Sequence, residues 1–435
     1  MEMFLLLVIV AFILILNYLV SGYDLLSPSV LYIGGFFIAI FAASLNIDTW
    51  GIELHFKTVV VLLLGLIGFI CGEGFARKTV RHGYKNLKKN YYRINPLFMI
   101  IIICIDIVLT YMLYKEIIRL SAFAHDYYKN IGVMTAFKSA LGEGYQLNEM
   151  VEQLLKISTS MAYICTFVII NNTVIEKRIR LKDNLLYFLV IFIFIIQSFL
   201  KGGRGGLILY VFYITFIVYF YAKSNRNWSR LVSDKFLKRV GLIFILLIVG
   251  FYYSKTLVGR SSTESIFDYT TRYFGGSIAL LDLYMEKPMS ATNNIIGETF
   301  PGLCQSLIKL GFSMEPTSIN LEFRYANTGV MLGNIYTQLR RAFNDFGYIG
   351  VFFMPFILSV FFHRWYQKLK LIKSFSTKDL CSFILYATLV GSLSMQAMED
   401  QLFTSKISIG YIIQVIILFV CIRITLKSKP VELEE

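Results

Sequence analysis

The chain has 435 residues, 56% of them apolar and 16% charged, with a net charge of +14. A soluble protein carries about 25% charged residues, so there is too little charge here to coat the two or three soluble domains this length would make. An ordinary cytosolic enzyme is excluded. The apolar residues fall in runs such as Leu97 to Leu113 and Val240 to Phe251, of the kind that cross a hydrocarbon core about 30 Å thick.

In chain order, eleven spans are predicted at 3–20, 29–45, 58–76, 97–115, 154–172, 184–200, 205–222, 240–255, 347–363, 380–398 and 407–423. The fold class is an all-α polytopic membrane protein of about 11 transmembrane helices with one large outer, periplasmic loop domain. The expected division is a membrane bundle of spans 1–8 (1–255), the large loop (256–346), then spans 9–11 with a cytoplasmic tail (347–435). The first span is not expected to be a cleaved signal: Met1-Glu2 supplies no basic start, and Ser21-Gly22-Tyr23-Asp24 lacks a small-x-small cleavage site. Cys71, Cys104, Cys165, Cys381 and Cys421 lie in apolar runs and Cys304 in the long loop, so no disulfide framework is expected.

Positively charged short loops stay in the cytoplasm, and every second loop is basic. The first of these, 77–95, holds Arg77, Lys78, Arg81, Lys85, Lys88, Lys89 and Arg93 and no acid. Lys177 to Lys182, Lys223 to Arg239, Arg364 to Lys378 and the tail with Arg423, Lys427 and Lys429 follow. The N-terminus is therefore expected outside and the C-terminus inside, and the basic charge reports topology rather than a nucleic-acid partner. Segments 116–153 and 256–346 are the long outer ones, and loops of such length are functional or disordered. The second mixes aromatics, glycines and both charges and includes an amphipathic stretch, Gly302 to Phe312, suited to a membrane surface.

No GxxxxGK[ST] loop and no G-x-G-x-x-G turn is present, so ATP-driven work is not expected. His55, His82, His125 and His363 are isolated in sequence, no Cys/His cluster has zinc spacing, and no Asp-x-Asp pair exists. No metal and no cofactor are expected. The sharpest local feature is Lys201-Gly202-Gly203-Arg204-Gly205-Gly206. Its glycines let backbone amides approach an anion, and an arginine fork suits pyrophosphate oxygens; the alternative is a hairpin turn whose cations reach lipid headgroups. Arg260, Arg272, Arg324, Arg340 and Arg341 stand among acids in the long loop, either as surface ion pairs or, for Arg260, Arg340 and Arg341 near a membrane end, as contacts to a lipid pyrophosphate. Asp345 suits a helix cap or a general base. Asp106 is an intramembrane acid needing a partner, and Glu399, Asp400 and Lys406 suggest an ion-paired link.

Five pieces recur in order: Asp24-Leu25-Leu26-Ser27-Pro28, the Gly-Gly-Arg-Gly turn at 202–205, Arg272-Tyr273-Phe274-Gly275-Gly276 with Leu281-Asp282, Gly297-Glu298-Thr299-Phe300, and Gly333-Asn334-Ile335-Tyr336-Thr337 leading to Asp345-Phe346-Gly347-Tyr348-Ile349-Gly350. In these pieces, their order and the large outer loop, over most of its length, the chain resembles the Wzy-type O-antigen and capsular polysaccharide polymerases, the oligosaccharide repeat-unit polymerase family. The resemblance implies a bacterial inner-membrane enzyme that takes undecaprenyl-pyrophosphate-linked oligosaccharides on the periplasmic side and transfers the growing glycan to the next lipid-linked repeat. Its partners would be that lipid-linked substrate, membrane lipid and a candidate chain-length regulator. Pyrophosphate is already a leaving group, so positioning and charge stabilisation suffice. Lys201, Arg204, Arg260, Arg272, Arg340 and Arg341 are the candidate binding residues; Asp345, Asp282 and Glu298, in that order, are the candidate catalytic carboxylates. A flippase of the same lipid-linked sugar and an O-antigen ligase are the competing readings.

Overall fold

The computed structural model describes residues 2–80, 83–123, 132–226, 228, 234–255, 264–289, 297–317 and 320–430. It is mostly helical, as long apolar runs without a period of two require. In chain order these are α1 (Glu2–Val20), α2 (Pro28–Ser44), α3 (Ile47–Trp50), α4 (Phe56–Thr79), α5 (Pro96–Phe123), α6 (Val133–Gly142), α7 (Glu149–Glu176), α8 (Leu185–Leu200), α9 (Gly205–Ser224) and α10 (Asp234–Tyr253). They continue as α11 (Ile266–Glu286), α12 (Pro301–Lys309), α13 (Gln338–Lys370), α14 (Thr377–Val390), α15 (Ser392–Met395), a π-helical turn (Leu402–Lys406) and α16 (Ile409–Thr425). Four short strands, β1 (Asn90–Arg93), β2 (Arg324–Tyr325), β3 (Met331–Gly333) and β4 (Lys427–Pro430), form two antiparallel pairs, β1 with β4 and β2 with β3. Among the described residues six helices, α1, α4, α5, α7, α9 and α13, are long and apolar enough to cross a membrane, and α2, α8 and α16 are shorter apolar helices. Ten of the eleven predicted segments overlap one helix each, and 380–398 overlaps two, α14 and α15.

Contacts divide the chain into two units, each made of three separate stretches. The first comprises Met1–Tyr84, Glu264–Leu371 and Leu389–Ile412, the second Lys85–Thr263, Ile372–Thr388 and Ile413–Glu435. The described part of the expected loop belongs with the first helices because α11 packs on α2: a Cβ on Gly275 would lie 2.4 Å from the Ala43 nitrogen. The amphipathic stretch from Gly302 to Phe312 divides: its first residues pack inward, while Leu310 and Phe312 are exposed. α12 packs on the π-helical turn, with Gly302 against the Thr404 carbonyl and Cys304 buried.

In the first unit α4 and α13 pack through a glycine face. Gly65 meets Leu339, Gly68 the Phe352 carbonyl and Gly72 the Phe356 carbonyl, the small-residue approach by which helices associate in lipid. α13 begins nine residues before the predicted span and bends where that span was expected to start. Gly347 has φ 60° and ψ −150°, a region open to glycine alone. At one end of this unit Arg77 donates to the Val20 carbonyl, Arg364 to Thr79, and Tyr366 and Lys370 to Asp24. At the other end Thr328 and Asn327 hold the loop at Thr49 and Gly51.

In the second unit the basic segments share one end. β1 pairs with the tail strand β4; Tyr91 donates to Glu176, which also pairs with Arg180; Leu87 N–H donates to Ser224, and Lys88 N–H to the Lys373 carbonyl. All five segments predicted on one side of the membrane are thereby represented at one end. The other end is an apolar cluster of Leu113, Ile117, Phe137, Ala140 and Leu155, with Leu200 against it. Asp106, fully buried in α5, finds its partner in the Ser158 hydroxyl of α7, while Gln197 of α8 donates to its carbonyl.

Candidate functional site

The richest set of polar side chains surrounds the first turns of α13, where Arg340, Arg341, Asn344 and Asp345 recur at helical spacing. Leu339 rests on Gly65, about 14 Å along α4 from its first residue, so the set is recessed beyond the α4 N-terminus. Arg340 is fully buried. Its guanidinium pairs with the equally buried Glu298, with Glu322 at 2.7 Å and with the Met289 carbonyl at 3.2 Å. It also lies 4.4 Å from the ring centres of both Tyr284 and Tyr336. An arginine in low dielectric requires this company, and α11, the 297–300 segment and β2's approach supply it.

Arg341 points elsewhere. It donates to the Glu298 carbonyl at 2.8 Å, is 5% exposed and feels the charge of Asp400. Asp400 is 1% exposed and accepts from the N–H groups of Leu402 and Phe403, both at 3.0 Å, which fixes the π-helical turn. Burial pushes its carboxyl up to about 7 against the Phe403 N–H, Arg341 and the Leu402 N–H, which hold it down. Its Oδ2 has no hydrogen-bond partner among the described residues. The expected ion-paired link is thus a capped turn, and Lys406 lies over the Tyr411 ring.

Asp345 lies within α13, just before the bend at Gly347, rather than at a helix start. Its Oδ2 accepts from the Thr299 N–H at 2.7 Å and its Oδ1 from Asn344, while the Thr299 hydroxyl donates to the Arg341 carbonyl. Glu298, Thr299, Arg340, Arg341 and Asp345 therefore form one cluster. Asp282 does not join it. Tyr284, two positions on, faces Arg340 and Asn344, and two positions turn a helix about 200°, so Asp282 faces α4 instead. There it binds His55 and Thr58. Arg272 pairs with Glu264 at 2.5 Å and reaches the Met331 carbonyl, and Arg324 clamps the Leu283 and Lys287 carbonyls.

Lys201 and Arg204 belong to the second unit. Arg204 donates to the Phe251 carbonyl at 2.6 Å and stacks over that ring at 3.9 Å; burial lowers the pKa of Lys201. Of the glycines in this turn Gly202 has φ +70° and lies against Lys138, whereas Gly203 and Gly206 face open space. Arg260 lies outside the described residues. Sequence reasoning passed over His55, Tyr284 and Tyr336 because nothing local marks them: their partners stand far away in the chain. No group of three or more His, Cys, Asp or Glu residues that could hold a metal occurs among the described residues. Comparison with protein-family models, with curated proteins and with solved structures finds no match. What the chain is shown to be is a mostly helical protein with membrane-spanning character.

Proposed function

We propose that this protein is a polymerase of undecaprenyl-pyrophosphate-linked oligosaccharide repeat units, of O-antigen or capsule type, in a bacterial inner membrane. The observation that carries the reading is the convergence of Glu298, Thr299, Arg340, Arg341, Asp345 and Asp400 on one recessed cluster. Pieces on which the family resemblance rests, 297–300 and 333–350, are the pieces that meet there. In this reading Arg340 braces the cluster, and Arg341, beside Asp400 and Asp345, stabilises the charge that grows on the departing pyrophosphate. Membrane lipid surrounds the protein, and a chain-length regulator is a further partner.

All eleven apolar segments cross the membrane in this reading, with the N-terminus and the α13 cluster periplasmic and the C-terminus cytoplasmic. The shared end of the basic segments supports that parity, and the positive-inside preference supports the sign. A reporter active only in the periplasm is expected to report outside when fused within 256–346 and inside when fused within 77–95; an inside signal at residue 300 overturns the orientation.

The activity is tested with purified protein and lipid-pyrophosphate-linked repeat units. A ladder of elongated glycans is expected in EDTA without ATP, since arginine rather than a metal ion stabilises the leaving charge. Strict dependence on Mg²⁺ or Mn²⁺ counts against arginine and for a metal clamp on the pyrophosphate. Movement of intact single repeats across vesicles without elongation would make the protein a flippase instead.

A further inference from the structure

Glycosyl transfer must also remove a proton from the acceptor hydroxyl, and the residues around Asp282 are arranged to take it. Resting on the transferase reading above, we propose that His55 Nε2 is the proton acceptor, a catalytic residue, and that Asp282 is the positioning residue that orients it.

His55 stands immediately before α4 with extended backbone angles. Its backbone N–H donates to Asp282 Oδ1 and its Nδ1 lies 2.9 Å from Asp282 Oδ2, while the Thr58 hydroxyl donates to Oδ1 at 2.5 Å. An ionised carboxylate only accepts. The ring proton of neutral His55 is therefore on Nδ1, which leaves Nε2 with its lone pair. The Asp282 side chain is 6% exposed and that of His55 46%, so the held edge of the pair is inside and the basic edge meets the surroundings. No described residue is bonded to Nε2.

The charged groups facing His55 are Asp282 and Glu286, one turn apart on α11, and Glu53 in the loop before it. Hydrogen bonding to Asp282, then its charge, raises the imidazole pKa above the ordinary 6.5, opposed by burial and aided by Glu286 and Glu53. Both glutamates are exposed and can accept hydrogen bonds from sugar hydroxyls. An acid-lined approach suits the neutral acceptor sugar, whereas the arginines suit the anionic donor.

In the step itself the acceptor oxygen bonds to the anomeric carbon of the donor glycan. The bond from that carbon to the pyrophosphate oxygen breaks, and the lipid pyrophosphate leaves with the electron pair. The hydroxyl proton passes to His55 Nε2, and the imidazolium, stabilised by Asp282, returns it to water.

The test uses the full chain with lipid-linked repeats, measuring elongation against pH for wild type, His55→Gln and Asp282→Asn, with membrane abundance of each. Imidazole signals of ¹³C-histidine-labelled protein are titrated in parallel; there are four histidines, so each can be assigned by substitution. In wild type the rate is expected to fall as pH drops through the His55 pKa, because the imidazolium has no lone pair to offer. His55→Gln is expected to lower kcat by about 10² to 10⁴ with little change in KM. Asp282→Asn is expected to move the His55 titration and the acid limb of the rate together to lower pH. A merely structural pair would lower abundance and leave the limb in place. Wild-type elongation by His55→Gln, or an acid limb that stays put while the His55 titration moves, overturns the assignment and leaves the transferase reading standing. A wild-type protein that elongates nothing overturns both.

Discussion

Arg340→Ala is expected to remove most of the folded protein from the membrane. The change leaves Glu298, fully buried, without the guanidinium it faces, and strips both Tyr284 and Tyr336 of the cation between them. Breaking a buried pair by deleting one partner costs about 3–5 kcal/mol, a large part of the roughly 5–15 kcal/mol that holds a protein folded. Arg340→Lys keeps the charge but cannot reach Glu298 and Glu322 at once, and should recover only part of the loss. The double variant Arg340→Met with Glu298→Gln removes both charges and should restore much of it. Abundance and melting temperature in detergent, read beside elongation, decide the matter. Normal abundance and melting with lost elongation would make Arg340 a substrate contact rather than a brace.

Gly68→Leu is expected to be equally damaging for a different reason. A Cβ there would come 2.3 Å from the Phe352 carbonyl oxygen, and backbone cannot step aside as a side chain can. α4 and α13 would have to separate, losing the close packing that associates helices in lipid. Gly74, on the same helix, has nothing within 4 Å of its hypothetical Cβ. Gly74→Ala should therefore be tolerated and add up to about 1 kcal/mol of helix propensity. Equal melting temperatures for Gly68→Leu and wild type would remove the glycine face from the account.

The helices named by apolar run length were legible because a run such as 97–113 carries its own signal, independent of any partner. α11 was not, since Arg272, Asp268 and Asp282 break its apolar character; it is held inside by the fit of Gly275 to α2, a tertiary fact. The start of α13 was hidden likewise: Arg340, Arg341 and Asp345 read as loop, while the only local sign of the break, Gly347, was read as the beginning of a span. At the site, Glu298, Arg341 and Asp345 were legible as candidates by residue type, but their grouping was not. Asp282 was noticed as a carboxylate and His55 set aside as isolated, because a contact across 227 positions leaves no trace in local spacing. Arg204 shows the converse. Its turn invited an anion on local spacing alone, and nothing in that spacing told that the guanidinium also lies on Phe251.

The pairing of β1 with β4 also bears on how the chain is made. Asn90 is translated long before its partner Pro430, and each unit draws on three stretches far apart in the chain. Neither can close while the ribosome is still extending the middle of the chain, so the earliest helices wait in the bilayer with their polar faces uncovered. Such long-range closure is slow and leaves intermediates exposed. Nascent chains halted before α16 should therefore present Asn90 to Arg93 held by Asn171 and Asn172 but without their strand partner, as substrates for membrane quality control, and α16 with the strand that follows it acts as the latch that ends that window.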